Sequence, residues 1–449
     1  MKKIVSRCWV AALAALVVSC GGGGGSSSPS AATSSSSGGS SGSGTPAPTP
    51  ACGATGSSTL SIRACGNRLV DAAGDVVQLR GVNVSALESP IESANAYNAV
   101  NPWGGQTGDD TPNWSVIKTW GGAGTTINNA VRIPLNQSTW LAASCTNDSG
   151  QSINPDPAAS YKATVDATVA NATAAGLYVI LDLHISAPDK YCAESQNAGP
   201  DQDHSLTFWS QVAARYKSNP AVMFEAFNEP FLSQISGTLT PDNAWSVLLN
   251  GGADNNFTDL NGNYNINLNW QVAGMQQIVT AIRDTGATNV VLIAPLAFSS
   301  ALDGWLQYKP TDPAGQMAAV WHAYPADGYP TQVSCVDTGA ANTAGNLPGC
   351  SAQIMADAQA IIAAGYPVVI TEYGDTITGS AGNTAPWASV LLPFADKNGI
   401  SYLGWTWDDW SGFNADVLIT DEKGTPTNGY GTYVKQHYTC VAAGTANCP

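Results

Sequence analysis

Two stretches decide how this chain reads: FEAFNEP at 224–230 and VVITEYGD at 368–375. Each is an apolar run of strand length that closes on a glutamate, Glu229 in the first and Glu372 in the second. They are remote in sequence, so a fold is required that carries the ends of distant strands to one place. A (β/α)8 barrel does this, because residues at the carboxyl ends of its strands converge on one face.

Working outward from these runs, strand-length apolar segments recur at 77–84, 130–135, 178–184, 221–227, 289–295, 318–324, 367–373 and 401–407. Helical patterns separate several of them, at 157–175, 206–217, 270–285 and 352–364, the last stopping at Gly365. Alternation of this kind predicts a parallel sheet with covering helices. The stretch 60–77, with turns at Cys65-Gly66-Asn67 and Ala73-Gly74-Asp75, predicts a β-hairpin closing the barrel floor. Region 232–269 is rich in Asn and Gly and reads as an elaborated loop on the active face. The expectation is an α/β protein with a single TIM barrel over 52–449, an N-terminal hairpin and long loops on the catalytic face.

The chain of 449 residues carries 17 Lys and Arg against 33 Asp and Glu, a net charge of -16 that repels phosphate backbones and anionic membranes. Nucleic acid is therefore not an expected partner. Lys2, Lys3 and Arg7 precede an apolar stretch too short to span a bilayer, so residues 1–19 read as a signal peptide. Val17-Val18-Ser19-Cys20 has the form of a lipoprotein signal, which makes a lipid on Cys20 the one expected membrane link. Residues 20–51, mostly Gly, Ser, Thr, Ala and Pro, lack the apolar surface to fold and predict a tether. An exported, monomeric protein is expected, held at the bacterial outer membrane or cell surface or released by cleavage of that tether.

With Cys8 and Cys20 set aside, eight cysteines remain, an even number that favours disulfides in an exported chain. Pairing neighbours in sequence gives Cys52–Cys65, Cys145–Cys192, Cys335–Cys350 and Cys440–Cys448. No CxxC spacing suggests zinc, and DLNGN at 259–263 lacks the ligand spacing of a calcium loop. No metal or cofactor is expected.

Two carboxyl groups meeting across a sugar are what glycoside hydrolysis needs. The series GNRLVDAAGDVVQLRGVN, AVRIPL, YVILDLH, FEAFNEP, VWHAYP, VVITEYGD and YLGWTWDDW, in this order, resembles glycoside hydrolase family 5, which contains many cellulases and mannanases. The resemblance covers roughly 60–438. It implies that Glu229 is the acid/base and Glu372 the nucleophile of a retaining double displacement. Glu229 should then be held up toward ~6 to 7 by burial and negative charge, and Glu372 kept ionised by nearby donors.

The same resemblance places Arg132 beside the nucleophile, where its fork suits a bidentate grip; an ion pair with Glu225 or Asp182 is the structural alternative. It gives Asn228 the sugar 2-hydroxyl and brings His184, His322 and Tyr324 into the site, with Tyr324 donating to Glu372. Strand alternation turns Asp182 with His184, and His322 with Tyr324, to one side. Trp405 corresponds to the floor under the sugar before the cleaved bond. Trp103, Trp114, Trp407 and Trp410 are candidates for further subsites, while His204 and His437 read as structural. A noncatalytic carbohydrate-binding barrel would not need both glutamates. The expected substrate is a β-linked polysaccharide or oligosaccharide, first a β-1,4-glucan cut internally by an endoglucanase, with β-mannan, xyloglucan or exo action as alternatives.

Overall fold

A computed structural model describes residues 52–56, 60–88, 112–122, 127–157, 159–232, 239, 241–254, 257–258, 265–324, 349–375, 387–409, 417–445 and 448. The expectations for the signal peptide, Cys20, the tether, Cys335–Cys350, Trp103, Trp410 and 259–263 lie outside the described residues.

Eight parallel strands close into a barrel: β1 (Arg80–Asn83), β2 (Ala130–Asn136), β3 (Tyr178–Ile185), β4 (Val222–Glu225), β5 (Val291–Ile293), β6 (Met317–Ala323), β7 (Val368–Tyr373) and β8 (Ser401–Gly404). Each predicted strand is present. They read as continuous apolar runs because both faces are covered, and β2 and β3 are buried at every position. In β1 the approach to β2 is so close that a Cβ on Gly81 would collide with the Ala130 carbonyl oxygen.

The outer layer comprises α1 (Trp114–Thr119), α2 (Tyr161–Ala174), α3 (Ser205–Tyr216), α4 (Pro241–Asn250), α5 (Met275–Asp284), α6 (Gly349–Ala363), α7 (Ala388–Asn398) and α8 (Tyr430–Ala442). On α3, Ser205, Phe208, Trp209, Val212, Ala213 and Tyr216 recur at helical spacing and form the buried stripe. No helix among the described residues is long and apolar enough to cross a membrane.

Two expectations change. The segment 270–285 is not one helix: Trp270–Val272 is a strand paired with Gly252–Asp254, and α5 starts only after Gly274. The backbone of 270–272 is taken by that pairing, and Gly274, the N-cap of α5, lies so close to Asn250 and Gly251 that a side chain there would strike their backbone. Region 232–269 accordingly contains α4 and short antiparallel strands rather than loop alone.

The predicted N-terminal hairpin is a three-stranded antiparallel sheet, Arg63–Cys65, Arg68–Val70 and Val76–Val77. Ile62 N–H donates to the Pro220 carbonyl (2.9 Å) and Ala64 N–H to Gln316 Oε1 (2.8 Å), at the residues just before β4 and β6. The sheet thus lies against the amino ends of the strands. Disulfides join Cys52 to Cys65, Cys145 to Cys192 and Cys440 to Cys448, as expected.

At the opposite rim, three indole N–H groups donate to strand-end carbonyls. Trp209 donates to Ala226 (2.9 Å), Trp305 to Ile293 (3.0 Å) and Trp387 to Ala323 (2.8 Å). All three rings are buried, so each supplies apolar contact and satisfies a backbone acceptor together.

Candidate active site

Arg132 rises from β2 into the carboxyl end of the barrel with no solvent exposure. Its Nε and Nη2 hold Glu225 bidentately (2.8 and 3.0 Å), Nη1 reaches Glu372 Oε1 (2.6 Å), and Nη2 also meets Asp182 Oδ2 (2.9 Å). The anticipated bidentate grip on Glu372 is therefore corrected: the fork belongs to Glu225, and Glu372 takes one N–H. Asn83 Oδ1 and Asn228 Oδ1 accept the remaining donors at 3.0 and 2.8 Å.

Three buried carboxylates around one guanidinium cannot be equivalent. Burial pushes Asp182 well above the usual carboxylate range, against the pull of Arg132, and its Oδ1 has no hydrogen-bond partner. Burial would also raise Glu225, but the Arg132 charge and the His322 contact bring it below its ordinary value. Arg132 itself is raised by the acids it holds, despite its burial.

His322, also fully buried, links the two glutamates. Its Nδ1 lies 2.7 Å from Glu229 Oε1 and its Nε2 is 3.0 Å from Thr371 Oγ1. The Thr371 hydroxyl donates to Glu225 (3.0 Å), so its oxygen must accept from His322 Nε2–H. Both ring nitrogens then carry protons when Glu229 is ionised. Burial alone would lower this imidazole, but Glu372, Glu225 and Glu229 together push it up to about 10.

Glu229 follows β4, where Asn228 N–H still pairs with the Leu183 carbonyl (3.1 Å) and Ser299 Oγ donates to the Asn228 carbonyl (2.5 Å). Its side chain is 15% exposed. Burial favours the neutral acid, yet the hydrogen bond and charge of His322, with Gln196 Nε2 on Oε2 (2.6 Å), bring the carboxyl below its ordinary range. The expected upward shift is thus reversed, because a cation sits against the carboxylate.

Tyr324, from the end of β6, donates to Glu372 Oε2 (3.0 Å), and burial raises its phenol well above the ordinary value, so the proton stays on it. His184 faces the same space as Asp182, with Nδ1 2.8 Å from Asp182 Oδ2 and Nε2 3.5 Å from Asn228 Nδ2. Burial lowers this imidazole. Trp405 stacks on it, ring centroids 5.6 Å apart and planes 10° from parallel, and is half-buried.

One oxygen each of Glu229 and Glu372 and a ring nitrogen of His322 lie within 4.8 Å of one another. The same three groups have the spacing of a metal site, but a histidine donating through both nitrogens has no lone pair for an ion.

All eight predicted site residues are therefore brought to one rim. Sequence reasoning missed Thr371, although it stands inside VVITEYGD, and Gln196, which lies outside every motif, and it treated Glu225 only as a partner for Arg132. Of the additional tryptophans, Trp407 is a correction: it is buried, packs edge-on to Trp120 at 5.3 Å and donates to Glu422 (2.9 Å). Trp114 opens α1 and packs half-buried against the core. His437 is buried beside Asp396 (3.0 Å) and His204 meets Asp201 (3.1 Å), both away from the glutamates, as structural readings require.

Comparison with known proteins gives a match to the model for cellulases of glycosyl hydrolase family 5 over residues 70–411. Endoglucanase C of Evansella cellulosilytica is 23% identical over 359 residues, covering 75% of this chain but only 34% of the relative, so the chain spans about a third of that protein. A probable endo-β-1,4-glucanase B of Neosartorya fischeri is 25% identical over 284 residues, 59% of this chain and 71% of the relative. Among solved structures, a β-glucanase of Saccharophagus degradans in complex with cellotetraose superposes with a TM-score of 0.55 at 20% identity, over 86% of this chain and 95% of that one. A xyloglucanase of Bacteroides ovatus in complex with a heptasaccharide gives 0.52 at 19% identity, over 81% and 74%. At these identities the superpositions speak for the barrel.

Proposed function

The chain belongs to glycosyl hydrolase family 5, and from that premise we propose that it is a retaining endo-β-1,4-glucanase in which Glu372 is the nucleophile and Glu229 the acid/base. The observation that carries this reading is the approach of the two carboxylates and His322 to within 4.8 Å. Retaining hydrolysis uses carboxyl groups about 5 to 5.5 Å apart, whereas inversion needs roughly 6.5 to 9.5 Å to admit water between sugar and base.

In the first step a Glu372 oxygen bonds to the anomeric carbon as the glycosidic C–O bond breaks, and the departing oxygen takes a proton from Glu229. In the second, water gives a proton to Glu229 and its oxygen to the anomeric carbon, releasing Glu372. Arg132 and Tyr324 hold the Glu372 oxygens in place. Asn228, oriented by Arg132 and His184, offers its amide to the sugar 2-hydroxyl.

The resting Glu229 is held ionised by His322, so the acid form must be generated on binding. A sugar filling the cleft removes the remaining water from the carboxylate, and desolvation favours its protonation. Trp405, backed by His184 on one face, presents indole surface to the C–H face of a pyranose.

The substrate reading is supported by the endoglucanase names of the relatives and the cellotetraose bound by the Saccharophagus β-glucanase. Export on a tether, with a lipid at Cys20, and action as a monomer complete the proposal. The test is incubation with cellulose, mixed-linkage glucan, xyloglucan and mannan, following product length and anomeric configuration over time. Mid-chain cuts of β-1,4-glucan with β-configured products are expected; α-products, or one small sugar from the outset, overturn the retaining or the endo reading respectively. Glu372→Gln is expected to lower turnover roughly 10⁴-fold or more with the fold retained, and substantial residual activity rejects it as nucleophile.

A further inference from the structure

Between residues 192 and 201 every residue is buried except Gln196, which is half-open. This loop follows β3 and is fixed along its whole length. The Cys145–Cys192 disulfide anchors its start. Asn136 Nδ2 donates to the Ala193 carbonyl (2.8 Å), Ala193 N–H donates to Ser138 Oγ (2.9 Å), and Asp148 N–H donates to Glu194 (2.6 Å). Beyond Gln196, the Ala198 carbonyl accepts from Phe231 N–H (2.9 Å), two residues after Glu229. The loop and the acid/base strand end are therefore one rigid unit, and the residue it leaves uncovered donates to Glu229 Oε2 at 2.6 Å.

The two oxygens of Glu229 have different neighbours. Oε1 is occupied by His322, inside the barrel. Oε2 is held by Gln196, on the half-open side, and is the oxygen left to meet a glycosidic bond. We propose that Gln196 is a positioning residue for the acid/base: its amide holds Oε2 toward the leaving-group side of the cleft until the glycosidic oxygen replaces it as partner. Once replaced, Oε2–H gives its proton to that oxygen as the bond to the anomeric carbon breaks and its electron pair stays with the departing sugar. The inference rests on the assignment of Glu229 as acid/base.

Around Glu229 stand His322 and Tyr324 from β6, Glu372 from β7, and Asp182 and His184 from β3. Gln196 donates to Glu229 itself and, being neutral, favours the ionised carboxylate by its hydrogen bond, so removing it makes protonation easier.

The experiment measures kcat/KM against pH for wild type, Gln196→Leu and Gln196→Glu, using phenyl β-cellobioside, which needs acid assistance, and the 2,4-dinitrophenyl analogue, which does not. For the phenyl substrate the alkaline limb should move upward by about one pH unit in Gln196→Leu and further in Gln196→Glu. The ratio of the two substrates' rates should change several-fold, with thermal melting confirming the fold. A limb that stays put, or a parallel fall on both substrates, overturns the proposal. Glu229→Ala separates the two ideas: if it keeps full phenyl activity, the acid/base assignment fails and this inference with it. If it is impaired as expected while the limb of Gln196→Leu stays put, the role of Gln196 alone is rejected.

Discussion

His322 on β6 is the register partner of Glu372 on β7, because the ladder slips by one residue after Trp321 pairs with Ile370. Regular pairing would set His322 opposite Thr371. In an unbroken strand Thr371 and Glu372 would point to opposite faces. At the bulge both side chains reach the same imidazole, Thr371 Oγ1 at Nε2 (3.0 Å) and Glu372 Oε2 near Nδ1 (3.6 Å). An irregularity of one residue thereby connects Glu229, through His322, to Glu372.

Glu229→Ala should slow turnover of the 2,4-dinitrophenyl substrate at the second step, by roughly 10²- to 10⁴-fold. Azide, a small nucleophile needing no base, is expected to restore the rate and yield the β-glycosyl azide. Rate without azide dependence, or an α-azide, contradicts the assignment.

Arg132→Ala would take from Asp182, Glu225 and Glu372 the guanidinium that all three contact, leaving Glu225 and Glu372 only His322. Removing one side of a buried ion pair costs about 3 to 5 kcal/mol, and the loss should appear as a lower urea midpoint. Arg132→Lys replaces a fork with a point charge and should fall between the two. Equal stability of all three proteins would show the cluster to be energetically idle.

The His322 imidazole is raised from 6.5 to about 10 in the fold. Its contribution to stability should be complete below pH 6.5 and fade as pH rises toward and through about 10. Melting temperatures of wild type and His322→Gln should therefore lie furthest apart near pH 6 and converge in alkali. A constant gap across that range rejects a proton-linked role.

The barrel was legible because each strand is covered on both faces and so writes itself as an uninterrupted apolar run, as in YVILDLHI of β3. The carboxylates were legible because they end such runs. What lies beside them was not. Thr371 is brought inward by a bulge, a property of pairing that one strand's sequence does not express. Gln196 acts from a loop whose course depends on a disulfide and on buried side chains elsewhere. Glu229 reads low because His322 is charged, and that charge comes from three acids at two strand ends. Trp407 looked like its neighbour Trp405 in a motif rich in tryptophan, but only the packing against Trp120 tells which of the two rings meets solvent.

Two of the indole hydrogen bonds, Trp209 to Ala226 and Trp387 to Ala323, come from residues outside the segment that follows each carbonyl, whereas Trp305 belongs to the segment that follows Ile293 itself. At those two points the mouth of the barrel is hooped from outside. At Ala226 and Ala323 the segment that follows the strand can be exchanged, lengthened or shortened while the indole closing the carbonyl stays in place, which makes these two stave ends the points at which to graft a different cleft.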